Sequence, residues 1–195
     1  MTKVPRIAVL DYEIGNLRSA QKALEHVGAN AVLTADASVA MAADAVVLPG
    51  VGAFGACMQS LRACGLETVV HDVVQQGIPF MGICVGMQML FDESDEDAGV
   101  AGLGVIPGAV KWIPSNVQRP QMQWNQLTIT SHDPLFEGLG EHPWMYFVHS
   151  FHGVPTNSSD VVATVQYGET LNVAFRRGNV IAAQFHQEKT SMAGL

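Results

Sequence analysis

Short apolar runs alternate with stretches whose apolar residues recur every three or four positions along the first half of the chain. Residues 6–10 (RIAVL) read as a buried strand ending at Asp11. Asn16 is placed to cap a helix whose apolar side is Leu17, Ala20, Leu24 and Val27, with Gly28 as the stop. Residues 30–34 and 45–48 read as further strands, and 54–64 and 66–76 as helices, the second stopped by Gly77. Residues 78–83 (IPFMGI) follow as a strand and 85–91 (VGMQMLF) as a helix. This alternation predicts right-handed crossovers and a largely parallel sheet covered on both faces, an α/β architecture. Sites in such sheets form at the carboxyl ends of strands, which singles out DYEIGN (11–16), PGVGAFG (49–55) and GICVGM (82–87).

The second half has a different rhythm. Strand-like runs at 105–113, 124–130, 144–149, 161–167, 171–176 and 179–185 are separated by turns rather than long helices, and Gly178-Asn179 reads as a hairpin turn. An antiparallel or mixed C-terminal extension of the sheet is expected. The acidic stretch DESDEDAG (92–99) reads as a solvated loop. No repeat, low-complexity tract or linker interrupts residues 1–195, so a single domain is expected.

Composition narrows the function classes. Of 195 residues, 48% are hydrophobic and 14% charged, enough to build a core and too apolar for a disordered chain. The formal net charge is −8 and no run of Lys or Arg occurs, so neither nucleic acid nor a membrane surface is an expected partner. Cys57, Cys64 and Cys84 form no CxxC pair, which fits reduced thiols rather than a disulfide scaffold, and no metal or cofactor is expected. The first apolar run ends at Asp11, too short for a signal peptide, and no apolar stretch reaches the roughly 18 residues needed to span a bilayer. A cytoplasmic protein is the expectation.

Three segments carry chemistry. Gly82-Ile83-Cys84-Val85-Gly86 has the form G-x-C-x-G between a strand and a helix, a nucleophile elbow with Cys in place of Ser. Such a turn lifts the sulfur out of the sheet, and the helix start favours thiolate over thiol. The N–H of Val85 is placed to help bind an oxyanion. A buried structural cysteine in a glycine turn also fits the local motif; Cys57 and Cys64, seven apart on one helix face, read as core. A thiolate needs a base and an orienter of that base. His186 directly follows the run 179–185, and Glu188 is two residues on. His26, His71, His132 and His142 read as structural or surface residues. Pro49-Gly50-Val51-Gly52 is a strand-end loop able to offer N–H groups to a carbonyl or anion, or an ordinary turn; it lacks the Lys and Ser/Thr of a phosphate loop.

PGVGAFG, GICVGMQ and QFHxEK, in this order, resemble the class I glutamine amidotransferases over nearly the whole chain. DYEIGN, GMQ after the Cys, WN at 124–125 and YFVHS at 146–150 are similar to the branch of glutaminase subunits found in imidazole glycerol phosphate synthases. The resemblance implies the family's three-layer fold, with glutamine as substrate. Cys84 would form a glutamyl thioester, His186 would shuttle protons and Glu188 would orient it. Val51 and Val85 would supply the oxyanion hole, with the 50–51 peptide able to reorient on activation. Gly50, Gly52, Gln88, Glu96, His149, Ser150 and Phe151 would line the glutamine pocket. It also implies a (β/α)8-barrel cyclase subunit as heterodimeric partner, using the ammonia in a histidine-biosynthesis step. Glu13, Gln121, Gln123, Trp124, Tyr146 and Lys189 fall at expected partner-facing positions; for Tyr146 core packing, and for Lys189 a solvated charge, are the alternatives.

Several positions depart from the family pattern. Glu13 and Gln123 stand where Gly is usual, Gln121 where His is usual, Gln187 where Pro is usual, and Phe151 where Tyr is common. The sequence ends at Leu195, where relatives continue into a closing helix. These departures keep open a paralogous subunit feeding another synthase, or a regulatory subunit whose site has decayed. A Cys hydrolase on the same elbow is a third alternative, disfavoured by PGVG followed by GMQ.

Overall fold

The computed structural model of the chain describes residues 3–185. The predicted βα alternation is present. In order come β1 (Arg6–Leu10), α1 (Leu17–His26), β2 (Asn30–Thr34), α2 (Ala37–Met41), β3 (Ala45–Gly50), α3 (Phe54–Ala63), α4 (Leu66–Gln75), β4 (Phe80–Cys84) and α5 (Val85–Gln88). Then follow β5 (Glu93–Ser94), β6 (Gly108–Trp112), β7 (Gln121–Gln126), β8 (Thr128–Ile129), β9 (Trp144–His149), β10 (Phe151–Pro155), β11 (Val161–Tyr167), β12 (Glu169–Arg177) and β13 (Val180–Ala183).

An eight-stranded sheet in the order β2-β1-β3-β4-β13-β12-β11-β8 spans the molecule. Strands β2, β1, β3, β4 and β13 pair in parallel, and β12, β11 and β8 continue antiparallel, so the mixed extension expected from the second half is present. The parallel strands are apolar on both faces, as in Val46, Val47 and Leu48, because helices cover both sides. A second apolar cluster, including Leu127, Met145, Phe147, Val165 and Phe185, lies with the antiparallel part.

Four local expectations differ from the fold. Helix α5 is one turn long rather than reaching residue 91. The carbonyls of Met89, Leu90 and Phe91 accept from Leu103, Ile106 and Gly104 at 2.8–3.1 Å instead of continuing a helical ladder. Val27 is exposed, because α1 has already ended at His26. Helix α2 and strands β5 and β10 had no readable pattern. The acidic loop is structured: Ser94 is buried, and the carboxylates of Glu96 and Asp97 accept from the backbone N–H of Phe54 (2.8 Å) and Gly55 (2.7 Å) at the start of α3. These are the unpaired N–H groups that any helix start must satisfy.

Beside the main sheet, β7 and β9 form an antiparallel ribbon in which Gln121 faces His149, Met122 faces Val148, Trp124 faces Tyr146 and Gln126 faces Trp144. Strand alternation puts Met145, Phe147 and His149 inward, fully or nearly buried, and Met122, Trp124, Trp144 and Val148 outward into solvent.

Candidate active site

Strand β4 ends at Cys84 and α5 begins at the next residue, so the chain reverses direction within one peptide. Cys84 accordingly takes φ 55° and ψ −115°, a conformation that L-residues rarely adopt. The glycines of G-x-C-x-G exist for close backbone approach. A Cβ on Gly86 would stand 1.9 Å from the Leu48 carbonyl oxygen, and one on Gly50 would stand 2.4 Å from the Gly86 nitrogen. The elbow is thus packed backbone to backbone against the end of β3, with Gly50 directly paired to Cys84. That contact brings the PGVG loop beside the sulfur.

The loop is held from below. The buried Tyr12 hydroxyl donates to the Pro49 carbonyl at 2.7 Å, and the Cys57 thiol donates to the Val51 carbonyl at 3.3 Å. Burial pushes both the Tyr12 hydroxyl and the Cys57 thiol up, so both stay protonated donors at neutral pH. Cys57 therefore belongs to the core, as expected, and also buttresses the loop; Cys64 is half-buried against the core.

A cleft of about 350 Å³ opens over the elbow. Its lining comprises Val51, Gly52, Cys84, Val85, Gln88, Glu96, His149, Ser150 and Phe151, together with Pro120, Val148 and Gln184. All of the expected substrate residues except Gly50 thus face one space. Gln88 points the same way as Cys84, as residues one helical turn apart must. His149 is buried; its Nδ1 lies 2.6 Å from the Phe151 carbonyl oxygen and its Nε2 meets the Gln121 side chain at 2.8 Å. Burial drags its pKa down to about 4, so the ring is neutral; with the proton on Nδ1 facing the Phe151 carbonyl, Nε2 is an acceptor and the Gln121 carboxamide must turn its N–H rather than its Oε1 toward it.

Other expected residues fall elsewhere. Gln121, expected to face a partner, is fully buried against His149, because it occupies an inward position of the β7–β9 ribbon. Trp124 and Tyr146 pack on each other on the outward face, ring centroids 5.6 Å apart. Gln123 is exposed, and Glu13 is exposed at φ 70°, which accounts for the glycine usual at that position. His26, His71, His132 and His142 are all exposed. His186, Gln187, Glu188 and Lys189 lie outside the described residues. The described chain reaches Phe185 by way of β13, which runs parallel to β4 with Ala183 opposite Ile83.

One residue of the site was missed. Gln184 is 1% exposed, and its Nε2 donates to the Cys84 sulfur at 3.7 Å while its Oε1 accepts from Gln88 Nε2 at 3.0 Å. Its signal was in the sequence: a carboxamide inside the apolar run AAQF is a buried polar group in need of partners.

Comparison with known proteins agrees with this arrangement. The sequence pattern of the family "Glutamine amidotransferase class-I" matches residues 8–194. The chain is 46% identical over 199 residues to the imidazole glycerol phosphate synthase subunit HisH of Synechococcus elongatus, covering 100% of this chain and 91% of that one. It is 44% identical over 194 residues to the subunit of the same name from Salinibacter ruber, with 96% and 89% covered. Among solved structures, a glutamine amidotransferase superposes with a TM-score of 0.77 at 24% identity, covering 96% of this chain and 93% of that one. PurLQS from Thermotoga maritima does so with a TM-score of 0.72 at 20% identity, covering 96% and 89%. The two structural likenesses are likenesses of fold. With the sequence match running almost end to end and the elbow, loop and cleft meeting at Cys84, the chain belongs to the class I glutamine amidotransferase family.

Proposed function

We infer that this chain is the glutaminase subunit of an imidazole glycerol phosphate synthase. It hydrolyses glutamine to glutamate and ammonia and delivers the ammonia to a (β/α)8-barrel cyclase subunit. The observation that carries this reading is the Cys84 sulfur held at a strained strand–helix turn under a cleft. The chain around it is 46% identical throughout to subunits of that name.

The chemistry follows from the residues. His186 takes the Cys84 proton, and the thiolate attacks the carboxamide carbon of glutamine. The N–H groups of Val51 and Val85 receive the oxyanion, a role for which backbone donors fixed beside the sulfur need little reorganisation. Collapse of the tetrahedral intermediate breaks the C–N bond; the imidazolium returns its proton to the leaving nitrogen, releasing ammonia and leaving a thioester. His186, held by Glu188, then deprotonates water, which attacks the thioester carbon; glutamate leaves and the thiol is restored. Gly52, Gln88, Glu96, His149, Ser150 and Phe151 hold the amino acid. Topology supports the triad, since β13 runs beside β4 toward the same edge.

The partner is assigned to the outward face of the β7–β9 ribbon, where Met122, Trp124, Trp144 and Val148 are exposed together beside the cleft residue His149. The working unit is a heterodimer in the cytoplasm, with residues 1–195 as one domain. Among the described residues no helix is long and apolar enough to cross a membrane.

The test is reconstitution with the barrel cyclase and an assay of imidazole glycerol phosphate formation. Cys84→Ala should lower glutamine-dependent turnover by about 10³-fold or more while leaving ammonia-dependent turnover intact. Retention of the glutamine-dependent reaction would overturn the assignment.

A further inference from the structure

We propose that Gln184 is a positioning residue of this site: its carboxamide holds the Cys84 sulfur as an acceptor and, at its other end, fixes which end of Gln88 meets the substrate. The proposal rests on the glutaminase reading above.

The argument is one of hydrogen-bond polarity. Three groups stand in line, Cys84 Sγ, the Gln184 carboxamide and the Gln88 carboxamide, with spacings of 3.7 and 3.0 Å. Both glutamines are almost wholly buried, 1% and 3% exposed, and both border the cleft over Cys84. A carboxamide has a donating and an accepting end, and nothing in its shape alone selects between them. The sulfur selects. A thiolate only accepts, so Gln184 must offer it Nε2–H; Oε1 then faces Gln88, which must answer with its own Nε2–H. Gln88 Oε1 is left as the end toward the cleft, an acceptor for an N–H of the substrate.

The backbone makes this arrangement stiff. Gln184 follows directly on β13, whose Ala183 pairs with Ile83 of β4, and its own N–H donates to the Val173 carbonyl at 2.9 Å. Gln88 sits in the one-turn helix that starts at the elbow. One side chain therefore contacts the nucleophile and orients a substrate contact. The two functions separate by substitution, because a carboxylate in place of the amide still accepts from Gln88 but no longer donates to sulfur.

The experiment uses the full chain and compares wild type with Gln184→Glu and Gln184→Leu. Cys84 alkylation by iodoacetamide is followed by mass spectrometry across pH, and the KM for glutamine is measured in the complex with the cyclase. In Gln184→Glu the pH midpoint of Cys84 alkylation should move up by about one unit, because a like charge now faces the sulfur. Its KM should stay within about threefold of wild type. In Gln184→Leu the midpoint should also rise, and KM should rise about tenfold, the effect of one lost buried hydrogen bond. Thermal unfolding identifies the folded variants, and a general loss of packing would not reproduce a split between the two readouts. An unmoved alkylation midpoint in folded Gln184→Glu, or an unmoved KM in folded Gln184→Leu, overturns the proposal. A wild-type Cys84 no more reactive than Cys64 overturns the nucleophile assignment itself, and with it this inference.

Discussion

Strain and neutrality at single residues define this site. Cys84 is held at φ 55°, and a residue in such a region carries about 1–3 kcal/mol that the surrounding fold must offset. Replacing it by glycine relieves the strain and replacing it by alanine does not. Cys84→Gly is therefore expected to be more stable than Cys84→Ala by about 1 kcal/mol in urea unfolding, with both expected to be inactive. The opposite holds two residues on. Gly86→Ala puts a methyl group 1.9 Å from the Leu48 carbonyl, a contact between two backbones that no rotamer relieves. A loss of about 3 kcal/mol or more is expected, read as a lowered urea midpoint or as insoluble protein. His149 adds a pH dependence. Its folded pKa, about 4, lies below the unfolded value of about 6.5, so below that value the unfolded chain takes up the proton first. The stability it contributes is complete above about pH 6.5 and is lost as pH falls toward 4, in total about 3 kcal/mol. His152, buried with Nδ1 unpartnered among the described residues, is shifted in the same direction by its burial, against the opposing pull of Glu169. His149→Asn should flatten the fall in Tm between pH 6.5 and 4, measured by calorimetry across that window.

At the scale of elements, the parallel half was legible because each strand is a continuous apolar run and each helix carries its own stripe and stop. The elbow was legible for a related reason: Gly82, Cys84 and Gly86 announce a turn that only small residues permit. Less was legible where a short element draws its stability from distant partners. The residues 89–91 look helical, yet their carbonyls are taken by residues 103–106, and the outcome depends on a loop whose sequence carries no period. Gln121 and Gln184 were misjudged or missed because their roles depend on which face of a strand they occupy, and a one-residue change of register reverses that. The acidic stretch looked solvated because six of its carboxylates and neighbours are polar, whereas Glu96 and Asp97 satisfy the start of α3. One polar contact at this scale has clear energetic weight. Asp133 is nearly buried, receives two hydrogen bonds from the Arg176 guanidinium at 2.8 and 2.7 Å, and caps the turn at Pro134–Phe136 through the Leu135 N–H. The guanidinium holds its carboxyl below the usual range. Asp133→Ala leaves Arg176 of β12 without its counter-charge and is expected to cost about 3 kcal/mol, seen as a lower urea midpoint with m unchanged.

Across the whole molecule, the β7–β9 ribbon joins the cleft to an exposed apolar face. The β7–β9 ribbon buries Gln121 and His149, lends His149 and Val148 to the cleft lining, and leaves Met122, Trp124 and Trp144 exposed to solvent. This two-stranded ribbon cannot tilt on one face without moving the other, so a partner docked outside, as proposed, would bear on the cleft residues Val148 and His149. Exposed tryptophans in an apolar patch are among the side chains that carry most binding energy once a partner removes them from water. Trp144 is 53% exposed and makes no hydrogen bond through its side chain among the described residues. Its removal should therefore leave the isolated chain folded and weaken only the complex. Trp144→Asp is expected to leave Tm within about 2 °C of wild type. It should raise the Kd for the cyclase subunit about 30-fold or more, measured by titration calorimetry. Glutamine-dependent synthesis should recover when the cyclase concentration is raised to match. If Trp144→Asp binds the cyclase as tightly as wild type does, the partner docks on another face and the ribbon's apolar side has a different use.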